Sequence, residues 1–257
     1  MPRTILDKDI SPSPPIGKSI MQTDPDEALK NWISNLMEQA QITDFEGFYD
    51  LGDTTIEIGN LIQLFNSFDY LAAHYSWSQI NSLFWFILSS GGCTEFLCAL
   101  FQIDDHDTDN LNLLRKTCIL EMAKPFEFLA KSPLSQLQTD ALFYENFYYM
   151  WWDLVYTGMW MAFKTVHPND ATAGETRFAY GNLTDFEKEL FDATISTLKI
   201  ILQFECVETD FCVLHGLGHS AHPDAPKIVD QYIDKYRSEM NDEEYQFCLE
   251  CKNGTIM

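Results

Sequence analysis

From Thr184 onward the apolar residues Phe186, Leu190, Phe191, Ile195, Leu198, Ile201 and Leu202 recur every three or four positions, the period of one α-helical face. Ile228, Val229, Tyr232, Ile233 and Tyr236 repeat the pattern after Ala225, with Asp230, Asp234 and Lys235 on the other face. Between Glu145 and Phe163 the pattern changes. Phe147-Tyr148-Tyr149-Met150-Trp151-Trp152 and Trp160-Met161-Ala162-Phe163 are apolar nearly all round, which predicts a central helix buried by neighbours on most sides. Core packing is favoured over a cofactor-stacking role for these aromatics.

Helix starts are legible as well. Asp24, Pro25 and Glu27 read as an N-cap, a first-position proline and a reciprocating carboxylate, opening a helix through about Gln41. Thr184 with Glu187 and Asn241 with Glu244 have capping-box spacing. Only Thr54 to Ile58 invites a short extended reading, and no β-alternation is bounded by hairpin turns. The expectation is an all-α chain of about nine or ten helices in stacked antiparallel pairs. Residues 1–24, with Ser11, Pro12, Ser13, Pro14 and Pro15, read as a flexible N-terminal arm, and 25–257 as a single helical domain.

Composition narrows the function. The chain has 257 residues, 46% of them hydrophobic and 14% aromatic, enough to build a core, so disorder is excluded. Its 39 Asp and Glu against 16 Lys and Arg leave a net charge of -23. Such a field disfavours nucleic acid and anionic lipid and attracts a basic partner, although acidity also serves solubility alone. Leu83 to Leu88 is too short to cross a bilayer and residues 1 to 24 hold no apolar secretory run, so the expected location is the cytoplasm. Seven cysteines set in apolar patterns suggest reduced core thiols.

The most distinctive segment is the tail from Asp210: Leu214-His215-Gly216-Leu217-Gly218-His219, then His222-Pro223, an amphipathic helix to Tyr236 and a last helix closing at Cys251-Lys252-Asn253-Gly254. Glycines at 216 and 218 would let two helices approach closely, at about 1 kcal/mol each in helix propensity. The segment resembles a HEAT-like repeat pair, and also the ends of uncharacterised bacterial helical proteins, some linked to toxin–immunity loci. That resemblance implies an architecture and a context, and brings no catalytic residues with it.

Candidate chemistry centres on the same tail. Cys212, His215, His219 and His222 share one stripe if their helix persists, and Cys248-x-x-Cys251 supplies a second pair. Cys212, His215, Cys248 and Cys251 are therefore the candidate ligands of a structural zinc, set against plain core packing. His-Gly-Leu-Gly-His lacks the glutamate that serves zinc proteases as general base, which disfavours a hydrolytic site. Asp105, Asp107 and Asp109 imitate a calcium loop, but Asn110 and Lys116 stand where Gly and Glu are required. What remains is an acidic loop in which Asp104, Asp105, Asp107 and Asp109 are candidates to meet a basic partner.

The leading expectation is a non-enzymatic, cofactor-free immunity-type protein that neutralises a basic toxin, possibly a nuclease, through its acidic surface. The alternatives are a helical scaffold or adaptor, and a metal-dependent hydrolase using the His/Cys cluster.

Overall fold

A computed structural model of the chain describes residues 24–41, 52–89, 95–103, 108–132, 146–166 and 180–256. These residues form α-helices and no strand: α1 (Glu27–Ala40), α2 (Thr54–Asn66), α3 (Phe68–His74), α4 (Trp77–Ser89), α5 (Glu95–Phe101), α6 (Asp109–Glu121), α7 (Ala123–Lys131), α8 (Phe147–Val166), α9 (Asp185–Ile201), α10 (Val207–Ser220), α11 (Ala225–Tyr236) and α12 (Asp242–Asn253). All but the last residue of the predicted arm lies outside the described residues.

Two of the helix boundaries are a single residue wide. Ser67 alone separates α2 from α3, and Met122 alone separates α6 from α7. The second break has a clear cause in Pro125, which has no N–H for the carbonyl of Glu121 and whose ring crowds it.

Local capping decides the other boundaries. Both predicted capping boxes form: Thr184 N–H donates to Glu187 Oε2 at 2.7 Å and Glu187 N–H to Thr184 Oγ1 at 3.3 Å. Asn241 and Glu244 exchange the equivalent bonds at 2.9 Å each. At α1 the expected cap is displaced. Asp26, not Asp24, accepts the Leu29 N–H at 2.8 Å, leaving Glu27 as a first-turn acid beside the positive end of the helix. The extended reading of Thr54 to Ile58 is likewise overturned. Asp53 accepts from the N–H groups of Thr55 and Ile56 at 2.8 and 3.2 Å, and this cap outweighs the strand preference of the β-branched residues.

The long apolar run becomes α8, whose Phe147, Tyr148, Trp151 and Trp152 are fully buried. Their ring faces are taken by Phe65, Phe68, Phe84 and Phe126, with Phe84 stacked on Phe147 at 4.6 Å, so they are core. Polar bonds fix where this helix begins. Trp77 Nε1–H donates to Asn146 Oδ1 at 2.8 Å, and Asn81 Oδ1 accepts the Phe147 N–H at 3.0 Å, tying the start of α8 to α4. The helix then packs against α4, α5 and α10. No helix among the described residues is long and apolar enough to cross a membrane.

The expectation of a fully reduced cysteine set is corrected at Cys98, which is disulfide-bonded. The argument from apolar embedding describes the buried free thiols of Cys118, Cys212, Cys248 and Cys251, whereas Cys98 and the free Cys206 are both only half-buried.

The two tail glycines act as close-approach positions. A Cβ on Gly216 would sit 2.5 Å from Trp152 Cβ, and one on Gly218 would sit 2.7 Å from Ile256 and 3.1 Å from the Cα of Cys251. The first glycine sets the separation of α8 and α10, and the second that of α10 and α12. Gly216→Ala gains about 1 kcal/mol of helix propensity but overpacks a buried stem atom that cannot rotate aside, at about 1–3 kcal/mol. Its thermal midpoint is therefore expected to fall. Gly59→Ala, in α2 with nothing within 4 Å of the new methyl, is expected to raise it. Paired melts check both signs, and a more stable Gly216→Ala protein would contradict the close-contact account.

Candidate functional site

Because Gly216 lets the backbones of α8 and α10 close together, the side chains flanking it on α10 meet those flanking Trp152 on α8. Asp153 comes from α8, and His215 and His219 come from successive turns of α10. One donor atom from each of the three lies within 4.8 Å of the other two. The histidine Nε2 atoms face each other at 3.3 Å, and His219 Nε2 lies 3.5 Å from Asp153 Oδ1. The side chains are 18%, 3% and 29% exposed for Asp153, His215 and His219, so the group is buried at one end and open at the other.

Neighbouring acceptors set the proton positions. His215 Nδ1 faces the Tyr149 carbonyl, which can only accept from it, at 3.4 Å, and Asp153 Oδ2 at 3.7 Å. Nδ1 therefore carries the proton, and Nε2 presents its lone pair towards His219. Tyr149 also stacks its ring on His215 at 4.3 Å, fixing the imidazole plane. Burial, assisted by the neighbouring His219, holds the His215 pKa down at about 4, so its contact with Asp153 is not an ion pair near neutral pH. Burial pushes Asp153 up to about 7. Its Oδ1 takes no hydrogen bond from the described residues.

The predicted stripe of four ligands is broken at its end. Ala221 adopts a left-handed conformation that terminates α10 after Ser220, and His222 turns towards α9. There its Nδ1 accepts the Asp224 N–H at 3.1 Å and its Nε2–H donates to Asp192 Oδ1 at 2.9 Å, while Tyr180 O–H donates to the same oxygen at 2.7 Å. With both ring nitrogens engaged, His222 acts as a structural lock. The candidate zinc set of Cys212, His215, Cys248 and Cys251 is not assembled either, because the sole grouping of three or more potential ligands among the described residues is Asp153, His215 and His219. Cys212 donates its thiol to the Glu208 carbonyl at 3.1 Å, and burial pushes its pKa and those of Cys248 and Cys251 upward, favouring neutral thiols. Asp153 went unnoticed in the sequence, although a lone carboxylate directly after Trp151-Trp152 in an apolar helix is itself a signal.

Tyr149 also lines a cavity of about 430 Å³ that opens between α8 and the N-terminal turns of α10 and α12. Tyr149, Phe211 and Phe247 line it together with Glu208, Glu243 and Glu244. Phe211 and Phe247 lie 5.1 Å apart and form an aromatic wall, and none of the described lining residues is basic. As for the acidic loop, Asp104, Asp105 and Asp107 lie outside the described residues. Asp109 is exposed in the first turn of α6, behind the Thr108 cap, where it favours the helix end.

The pKa shifts at the three-residue group oppose one another. Asp153 is raised from 3.8 to about 7, so the stability gained by its protonated form is complete below about pH 4 and is lost as pH rises to 7. His215 is lowered from 6.5 to about 4, so the stability of its neutral form is present above pH 6.5 and is lost as pH falls to 4. The groups facing Asp153 are His215, His219 and Tyr156. Asp153→Asn removes the first contribution and leaves the second. In chelator-treated protein the thermal midpoint of the variant, relative to wild type, is expected to climb from about pH 4 to about pH 7. Melts across that window check it, and a difference that shrinks with rising pH would contradict the assignment.

No protein-family model, curated protein or solved structure matches the chain, so the functional reading stands on the chemistry of these residues.

Proposed function

We propose that the protein binds a basic protein partner and receives a lysine or arginine side chain of that partner in the cavity between α8, α10 and α12. The observation that carries this reading is the joint lining of Glu208, Glu243 and Glu244 with Tyr149, Phe211 and Phe247. Carboxylates supply charge-assisted hydrogen bonds, and aromatic faces attract a cation while covering its aliphatic stem. The volume of about 430 Å³ suits one long side chain and part of its neighbours. The net charge of -23 adds long-range steering towards such a partner.

Neutralisation of a basic toxin is the narrower form of this proposal, in which the captured side chain belongs to the partner's active face. A scaffold or adaptor would use the same cavity without blocking any activity. The acidic residues Asp104, Asp105, Asp107 and Asp109 add to the negative charge that hastens encounter.

The reading is tested with short peptides carrying arginine or lysine and with their citrulline or norleucine counterparts. The cationic peptides are expected to bind, and Glu208→Gln combined with Glu243→Gln is expected to weaken them about tenfold, roughly 1.4 kcal/mol. Glu244 is spared in that variant because its side chain caps α12. Calorimetry at low and physiological salt reads both effects, with weaker binding at higher salt. Equal affinity for the neutral peptides would remove the basis of the proposal.

A further inference from the structure

A second observation, independent of what occupies the cavity, concerns the three-residue group whose His215 stacks on Tyr149. We infer that Asp153, His215 and His219 form a binding site for one divalent first-row transition-metal ion, with imidazole nitrogens of both histidines and a carboxylate oxygen as protein ligands.

The spacing supports it. Ligands about 2.1 Å from a tetrahedral ion stand about 3.4 Å from one another. The two Nε2 atoms are 3.3 Å apart, and His219 Nε2 is 3.5 Å from Asp153 Oδ1. The surroundings are those of a ligand set as well. His215 directs Nδ1 at the Tyr149 carbonyl, which turns the Nε2 lone pair inward and locks the ring, the outer-shell arrangement that metal-binding histidines use. Asp153 Oδ1 is buried, accepts no hydrogen bond from the described residues, and faces His219 Nε2. A cation is the partner that would satisfy it at once. Two imidazoles and one carboxylate suit zinc, iron(II) or cobalt(II) better than calcium or magnesium, which prefer all-oxygen shells. The partial exposure of His219 leaves one face for water, as in sites with three protein ligands and an open position.

The test uses the full chain, stripped with chelator and titrated with zinc chloride and, separately, cobalt chloride. One ion per chain is expected, and the cobalt form should show tetrahedral or five-coordinate visible bands without thiolate charge transfer. His219→Ala should weaken zinc binding by about 100-fold or more, the upper end of what loss of even a supporting residue causes. Asp153→Asn keeps the shape, and should weaken it by at least about tenfold, so it carries the test if His219→Ala fails to fold. Cys248→Ser with Cys251→Ser should bind zinc as the wild type does. Absence of stoichiometric binding, undiminished affinity in Asp153→Asn, or loss of binding in the cysteine variant would each overturn the site.

Discussion

The contact between Gly216 and Trp152 is the constraint from which the rest of the structure follows. A Cβ on residue 216 would stand 2.5 Å from the Cβ of Trp152, which leaves room for no residue but glycine. That closeness brings a carboxylate of α8 against two imidazoles of α10, and it places Tyr149 where its ring stacks on His215 while the residue also lines the cavity. Interiors are packed too densely to absorb a shift at this point, so the helix separation and the histidine geometry are set together. Gly218 extends the effect to α12 and thus to the far wall of the cavity.

Much of this was legible from local chemistry. The capping boxes at Thr184 and Asn241, the all-round apolar α8 and the role of glycines in close approach are consequences of short-range rules, and each is present. Where two local rules competed, the side-chain cap that forms marks the boundary, as at Asp26 rather than Asp24 and at Asp53 ahead of the β-branched Thr54, Thr55 and Ile56. Pro125 marks the division of α6 from α7.

The candidate site was only half legible. Helical period put Cys212, His215 and His219 on one stripe, which says which residues share a face but not what that face meets. The facing residue lies on α8, distant in sequence, and no local rule supplies such a partner. The cysteines misled for a related reason. A buried thiol and a ligand thiol have the same sequence signature, and only the neighbouring groups distinguish them: a backbone carbonyl accepts from Cys212, and burial holds Cys248 and Cys251 neutral.

The acidic balance gains meaning from this arrangement. Spread over a surface, net charge concerns solubility and encounter. Concentrated as Glu208, Glu243 and Glu244 around an aromatic cavity, it becomes a means of choosing a cationic side chain. Both the cavity and the three-residue group depend on the ring orientation of His215 and Tyr149, so the most direct measurement is of that histidine. Long-range proton–nitrogen correlation spectra of the metal-free protein near neutral pH report the tautomer of each ring. The close α8–α10 contact predicts neutral His215 protonated at Nδ1. A His215 ring protonated at Nε2, or doubly protonated, would contradict it.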